Sequence, residues 1–203
     1  MLTRRLFLTL TGAAALASIP GLRAFAQPAA DRATAFVKST GEQLVNIVNG
    51  PGSVPEKRQR LQQVINSAVD VDGVAQFCLG RYWRSATPDQ RKQYMALFHD
   101  VLLNNISGKL GDYKGVRFTV NRTQNREDSQ VVNTNVERPN NPPTQVDWII
   151  SEASGTPKII DVVAEGTSLR LTQRSDYAAY LARNNNNVQS LIDAMRQQVA
   201  QSG

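Results

Sequence analysis

The sequence predicts an α+β fold in which a four-stranded antiparallel meander sheet packs against several helices around an apolar pocket, and three observations predict it. Four runs between residues 116 and 169 carry strand patterning: the first three, such as Val116, Phe118 and Val120 set between Arg117, Thr119 and Asn121, alternate apolar and polar side chains. The segments that join them, 125–128, 139–143 and 153–157, are polar and rich in Asn, Gly and Pro, and too short for crossover helices. Amphipathic helical patterns lie on both sides of these runs, as a sheet with one bare apolar face requires.

A chain of 203 residues that is 41% hydrophobic and 20% charged suits one domain with a substantial core. Residues 1–26 read as a cleaved export signal: Arg4 and Arg5 open a basic region, an apolar stretch follows to about Ile19, and Ala24-Phe25-Ala26 offers a small-x-small cleavage site. The arginine pair before Leu6-Phe7-Leu8 resembles a twin-arginine signal, and an ordinary secretory signal holding two arginines is the plainer reading. A retained membrane anchor is disfavoured by Thr9, Thr11, Gly12 and Ser18, which interrupt a short run. Residues 27–203 then form a single domain.

Losing the signal removes three arginines, so the formal charge falls from +6 to about +3. That is too little, without aromatics interleaved in a basic stripe, to point to nucleic acid. It is compatible with a mild preference for anionic membrane surfaces.

Residues 31–49 form the first helix, with Phe36, Val37, Thr40, Leu44, Ile47 and Val48 on one stripe and Gly50-Pro51-Gly52 as its stop. Ser53 and Glu56 have capping-box spacing for a second helix that buries Leu61, Val64, Ile65 and Ala68 and turns Lys57, Arg58 and Arg60 to water. After 70–73 a short helical segment runs to Gly80-Arg81-Tyr82-Trp83-Arg84. Thr87 caps the longest helix, with Pro88 first inside it, Gln90 reaching back, and a stripe of Tyr94, Leu97, Phe98, Val101, Leu102, Ile106 and Leu110 closed by Gly111.

In the strands, Val132, Thr134 and Val136 share one face, as do Val146, Trp148 and Ile150; residues 158–164 are apolar on both faces except Asp161, which places that strand inside the sheet. Residues 175–183 present Tyr177, Tyr180 and Leu181, the Asn run 184–187 makes a turn, and Val188, Leu191, Ile192, Met195 and Val199 form a last amphipathic helix.

Catalytic and metal chemistry find little support. His99 is the only histidine and has no Cys, Asp or second His at ligand spacing, so no metal site is expected. No nucleophile elbow surrounds a serine, and 108–115 lacks the ending of a phosphate-binding loop. Cys78, the only cysteine, reads as a small packed hydrophobe. Asp147 and Asp161 are the best enzymatic candidates, as strand carboxylates facing a concave interior, against the simpler reading that they face solvent or cap backbone. What remains is apolar surface in excess of chemistry: a gap lined by Val, Ile, Phe, Trp and Tyr is what a lipid carrier needs.

The blocks 77–84 and 86–91, then Leu110, Tyr113, Val132, Thr134, Val146-Asp147-Trp148 and 161–169, together resemble the MlaC family, also called the toluene-tolerance or periplasmic phospholipid-binding family. Arg174-Ser175-Asp176-Tyr177 is similar to its Tyr-Arg-Ser-x-Phe region. Two departures stand out: Gly155-Thr156-Pro157 replaces the family's usual Gly-x-Trp before Lys158, and Cys78 stands where Ala or another small residue is common.

The resemblance implies an NTF2-like cone and a soluble periplasmic carrier in a Gram-negative bacterium. Such a carrier moves phospholipid between an outer-membrane lipoprotein complex and an inner-membrane ABC transporter with an MCE-domain ring. It implies a non-enzyme without cofactor or metal, with phospholipid as cargo, no nucleic-acid partner, and a monomer. The alternatives are a hopanoid-associated lipid-binding homologue and an NTF2-like small-molecule enzyme using a strand Asp.

A carrier is physically needed because exposing a sixteen-carbon chain to water costs on the order of 12 kcal/mol. Phe118, Val120, Val132, Trp148, Ile150, Ile160 and Val162 from the sheet, with Tyr82, Leu97, Val101 and Leu169, are expected to line an unfilled hollow for the tails.

Overall fold

The structure, a computed structural model, describes residues 28–201. The expected export signal at 1–26 lies outside the described residues. No helix among the described residues is long and apolar enough to cross a membrane.

Helix α1 (Ala29–Asn49) ends at Gly50, and α2 (Val54–Ala68) opens on the expected capping box, with both the Ser53 and the Glu56 side chains engaged. Helix α3 (Val71–Leu79) is capped by Asp70, whose carboxylate accepts from the Gly73 amide. It stops at Gly80, which takes a φ of 58°. A four-residue helix, α4 (Tyr82–Ser85), leads to α5 (Pro88–Ser107), which Thr87 and Gln90 cap as their spacing predicts.

Helix α5 ends at Ser107 with Gly108 as its cap, three residues before the expected Gly111, and a 3-10 turn (Leu110–Tyr113) follows. Its buried face also drifts from the expected stripe. Tyr94, Phe98 and Val101 are buried, but Asn104 and Ser107 continue that line, while Ile106 is left 37% exposed.

The sheet is the expected meander: β1 (Arg117–Arg126), β2 (Ser129–Glu137), β3 (Thr144–Ser151) and β4 (Lys158–Ala164) pair antiparallel in sequence order. A two-residue strand, β5 (Thr167–Ser168), adds a fifth member. Together with a parallel bridge from Val69 to Ile159, it keeps β4 off the edge. Register shifts at Val120/Arg122 and Ile149/Ile150 mark bulges, which bend and twist a sheet.

Helix α6 (Leu169–Arg183) begins six residues before the patterning predicts, because Ser168 caps it by accepting from the Leu171 amide. Its first turn has no apolar stripe to read: Leu169 and Leu171 are both exposed. After the 184–187 turn, with Asn185 and Asn186 at positive φ, α7 (Val188–Gln201) completes the chain.

The core lies between one face of the sheet and the helices. Val132, Ile150 and Ile159 join Val37, Leu61, Tyr94, Val101, Leu181 and Ile192 in one buried cluster. The paired residues Val120, Thr134 and Val146, and Val132, Trp148 and Val162, therefore share the helix-side face.

Candidate functional site

The helix-side face is apolar with one polar rivet. The Trp148 indole N–H donates to Thr134 Oγ1 at 2.9 Å, and the same hydroxyl donates to the Val146 carbonyl at 3.1 Å. Thr134 has no exposed surface, so the indole is held by a partner that water does not compete for. A β-branched residue and a tryptophan on neighbouring strands thus fix one wall.

Helix α1 closes over this face and is fastened along its length. Near its start Arg32 forks onto Glu152, at 3.1 Å from Nε and 2.5 Å from Nη2, and the Thr34 and Thr123 hydroxyls bond at 2.6 Å. In the middle, Gly41 lets the Phe118 ring lie against the helix: a Cβ there would sit 2.5 Å from Cε2 and 2.7 Å from Cε1. At its end the Asn49 amide donates to the Val116 carbonyl and accepts from the Gly115 amide. The Arg32 bond holds the Glu152 carboxyl below the usual carboxylate range.

Beneath lies an aromatic floor. Tyr94, Phe98 and Tyr177 form a mutual cluster with ring centroids 5.9 to 6.4 Å apart. The Tyr94 hydroxyl donates to the Ala75 carbonyl at 2.8 Å, and burial pushes the Tyr94 and Tyr177 phenols up from their ordinary value.

Of the eleven expected lining residues, Val132 and Ile150 are fully buried in the core, and Tyr82 and Val101 nearly so. Leu97, Val120, Trp148 and Val162 are half-buried and pack against that core; Phe118, also half-buried, meets Gly41. Ile160 is the extra residue of the β4 bulge, and Leu169 stands 53% exposed at the start of α6.

Two depressions among the described residues, of about 380 and 400 Å³, are lined by none of these residues. Apolar side chains from sheet and helices meet one another along a seam, since each withdrawal of apolar area from water is favourable.

The remaining titratable groups serve structure. Asp147 is on the face away from the helices, contrary to the expectation that it faces the interior, whereas Asp161 is buried and caps backbone at the start of α6. Asp147 accepts from Asn133 at 2.6 Å, within a ladder that Asn121 extends. Asp161 accepts from the Ser168 hydroxyl and from the Val162 and Arg170 amides, with Arg170 Nε 3.4 Å away, and so locks β4 to α6. Burial pushes the Cys78 thiol up to about 12.

Lys57, Arg58 and Arg60 do not simply face water. Lys57 donates to Val48 O, Arg60 to Pro51 O, and Arg58 to Ser107 and Asn104 on α5. Among the described residues no group of three or more His, Cys, Asp and Glu could hold a metal ion.

The sequence reading missed the fastenings Arg32, Thr34 and Glu152, which no local pattern marks. It also missed Gly41, whose signal was legible: a glycine inside a helix costs stability unless something must approach closely.

The MlaC protein family model matches residues 38–197, which takes in the strapping helix from Lys38 onward, the floor and the whole sheet. The chain belongs to the MlaC family. Among curated relatives, the toluene tolerance protein ttg2D of Pseudomonas putida is 24% identical over 144 residues, 70% of this chain and 67% of that protein. Among solved structures, a phospholipid-binding protein from Ralstonia solanacearum, in complex with a phospholipid, superposes with a TM-score of 0.75 at 22% identity. The superposition covers 84% of this chain and 98% of that one, so the two share a fold. For a MlaC protein the seam between sheet and helices is the element on which any cargo reading turns.

Proposed function

We propose that this protein is a periplasmic phospholipid carrier that receives acyl tails in the seam between the helix-side face and the helices, leaving the head group in water. The observation that carries the reading is the half-buried apolar belt of Phe118, Val120, Trp148 and Val162, backed by the fully buried Val132 and Ile150. These side chains have surface to gain by contact with hydrocarbon, at about 25 cal/mol per Å². The family and the fold shared with a lipid-bound neighbour support the same reading.

Entry requires α1 and the strands to part. The fastenings are suited to that, because they are discrete polar contacts at the two ends of α1 and one glycine–ring contact between. Lipid passing from one apolar medium to another changes its free energy little, so the seam accepts varied chains and direction is set by partners. The partners proposed are an outer-membrane lipoprotein complex and an inner-membrane ABC transporter with an MCE-domain ring.

Organic extraction of the gently purified protein, followed by mass spectrometry, tests the reading. Wild-type protein should yield phospholipid, and Val120→Glu and Val162→Glu should yield little while still folded, with the exposed Lys92→Ala as the control. An extract free of phospholipid, or variants loaded as fully as wild type, sinks it.

A further inference from the structure

The corner where α3 and α4 meet the start of α6 gathers arginines on aromatic faces. Arg81 lies over the Tyr82 ring at 4.9 Å, Arg91 over Trp83 at 5.2 Å, and Arg170 and Arg174 over Phe77 at 4.5 and 4.8 Å. Gly80 brings the two elements together: a Cβ there would sit 3.2 Å from Arg174 Nε. Arg170 is committed to the buried carboxylate of Asp161. Arg81, Arg84, Arg91 and Arg174 form no ion pair with a carboxylate among the described residues.

Stacking orders these guanidinium groups: Arg81 spends one N–H on the Tyr82 hydroxyl at 2.8 Å and keeps its others, and Arg174 is exposed, so both can offer N–H groups to an external anion, whereas Arg91 donates to the Trp83 and Arg84 carbonyls. Asp176 and Asp89, each two residues from an arginine of the group, and Glu165 in the turn before α6 are the acidic groups nearest in sequence.

Beside the arginines stand two exposed leucines. Leu169 and Leu171, at 53% and 56%, are two of the four exposed large hydrophobics among the described residues, and both occupy the first turn of α6. Ordered arginines alone suit any phosphate. Arginines with leucines projecting beside them suit phosphates that lie over hydrocarbon, the chemistry of an anionic bilayer surface.

We propose that this corner docks the protein on anionic phospholipid membranes, with Arg81, Arg84 and Arg174 meeting lipid phosphates and Leu169 and Leu171 entering the head-group boundary. The docking surface goes beyond the carrier reading and does not require the seam to hold a lipid.

Co-sedimentation of the chain from residue 27 onward, which contains the whole packed unit, with phosphatidylcholine vesicles made with or without phosphatidylglycerol tests this. Wild type should partition onto the anionic vesicles and come off at raised salt. Arg81→Gln/Arg174→Gln should lower the partition coefficient roughly 25-fold, at about fivefold per arginine. Leu169→Ser and Leu171→Ser should each lower it roughly fivefold. Arg122→Gln/Arg126→Gln, on β1 away from this corner, should leave it within about twofold.

Equal binding to both vesicle types, or full binding by the arginine variant, overturns the proposal. Retention on poly-glutamate beads with none on vesicles also overturns it, in favour of an acidic protein partner. Extraction of the same preparations separates the two ideas: a lipid-free extract sinks the carrier reading alone, and a failed vesicle assay sinks the docking surface alone.

Discussion

Replacing Gly41 with alanine sets two known effects against each other. In an isolated helix the change stabilises by about 1 kcal/mol, because glycine loses more backbone freedom on folding. Here the new methyl would overlap Cζ, Cε2 and Cε1 of Phe118, a ring held by β1, so ring or helix must move. Overpacking of this kind costs about 1–3 kcal/mol.

The net expectation is a loss of about 1 kcal/mol, or roughly 2–4 °C in melting temperature for a domain of this size. The decisive measurement is a double-mutant cycle by urea unfolding. In a Phe118→Ala background the overlap is gone, and Gly41→Ala should turn stabilising by up to about 1 kcal/mol, a coupling of about 2 kcal/mol. A stabilising Gly41→Ala in wild type, or a loss that persists without the ring, refutes the close approach of α1 to the sheet as the reason for the glycine.

Three further outcomes follow from the contacts described. Arg58→Ala strands the buried side chain of Asn104 and should cost about 1–3 kcal/mol by chemical denaturation; a cost near zero would return Arg58 to the solvated surface. Cys78, with its thiol pushed up to about 12, should resist an aromatic disulfide reagent in native protein at mildly alkaline pH and react once urea unfolds the chain; stoichiometric labelling on mixing would contradict its burial. Glu152 titrates below the usual carboxylate range, so its bond to Arg32 contributes fully above that range and is lost as pH falls through its own lower value. The gap in urea midpoint between wild type and Glu152→Gln should therefore close on acidification, and a gap that widens would reverse the assignment.

Much of the fold was legible because it is written in short-range chemistry. Ser53 with Glu56, and Thr87 with Pro88 and Gln90, specify helix starts through bonds to their own backbone, and both boxes form as read. The strands were legible from alternation, and their order from connectors too short to cross over. The start of α6 was not, since its cap is one serine and its first turn buries no stripe.

At the candidate site the strand side chains on the helix-side face were found by parity. How deeply each is covered was not: Val132 and Ile150 have no exposed surface, while Phe118, Val120, Trp148 and Val162 keep some. The solvated reading of Arg58 failed because its partners Asn104 and Ser107 are remote in sequence.

By itself the sequence determined helices, caps, strand parity and meander order, because each depends on residues within a turn or a hairpin of one another. Only the tertiary structure decided that α1 is strapped across the sheet, how deeply each apolar strand residue is covered, and that the Arg81 and Arg174 side chains stack on the Tyr82 and Phe77 rings. Those outcomes depend on which distant surfaces meet, and burial and pairing are properties of the meeting rather than of either segment alone.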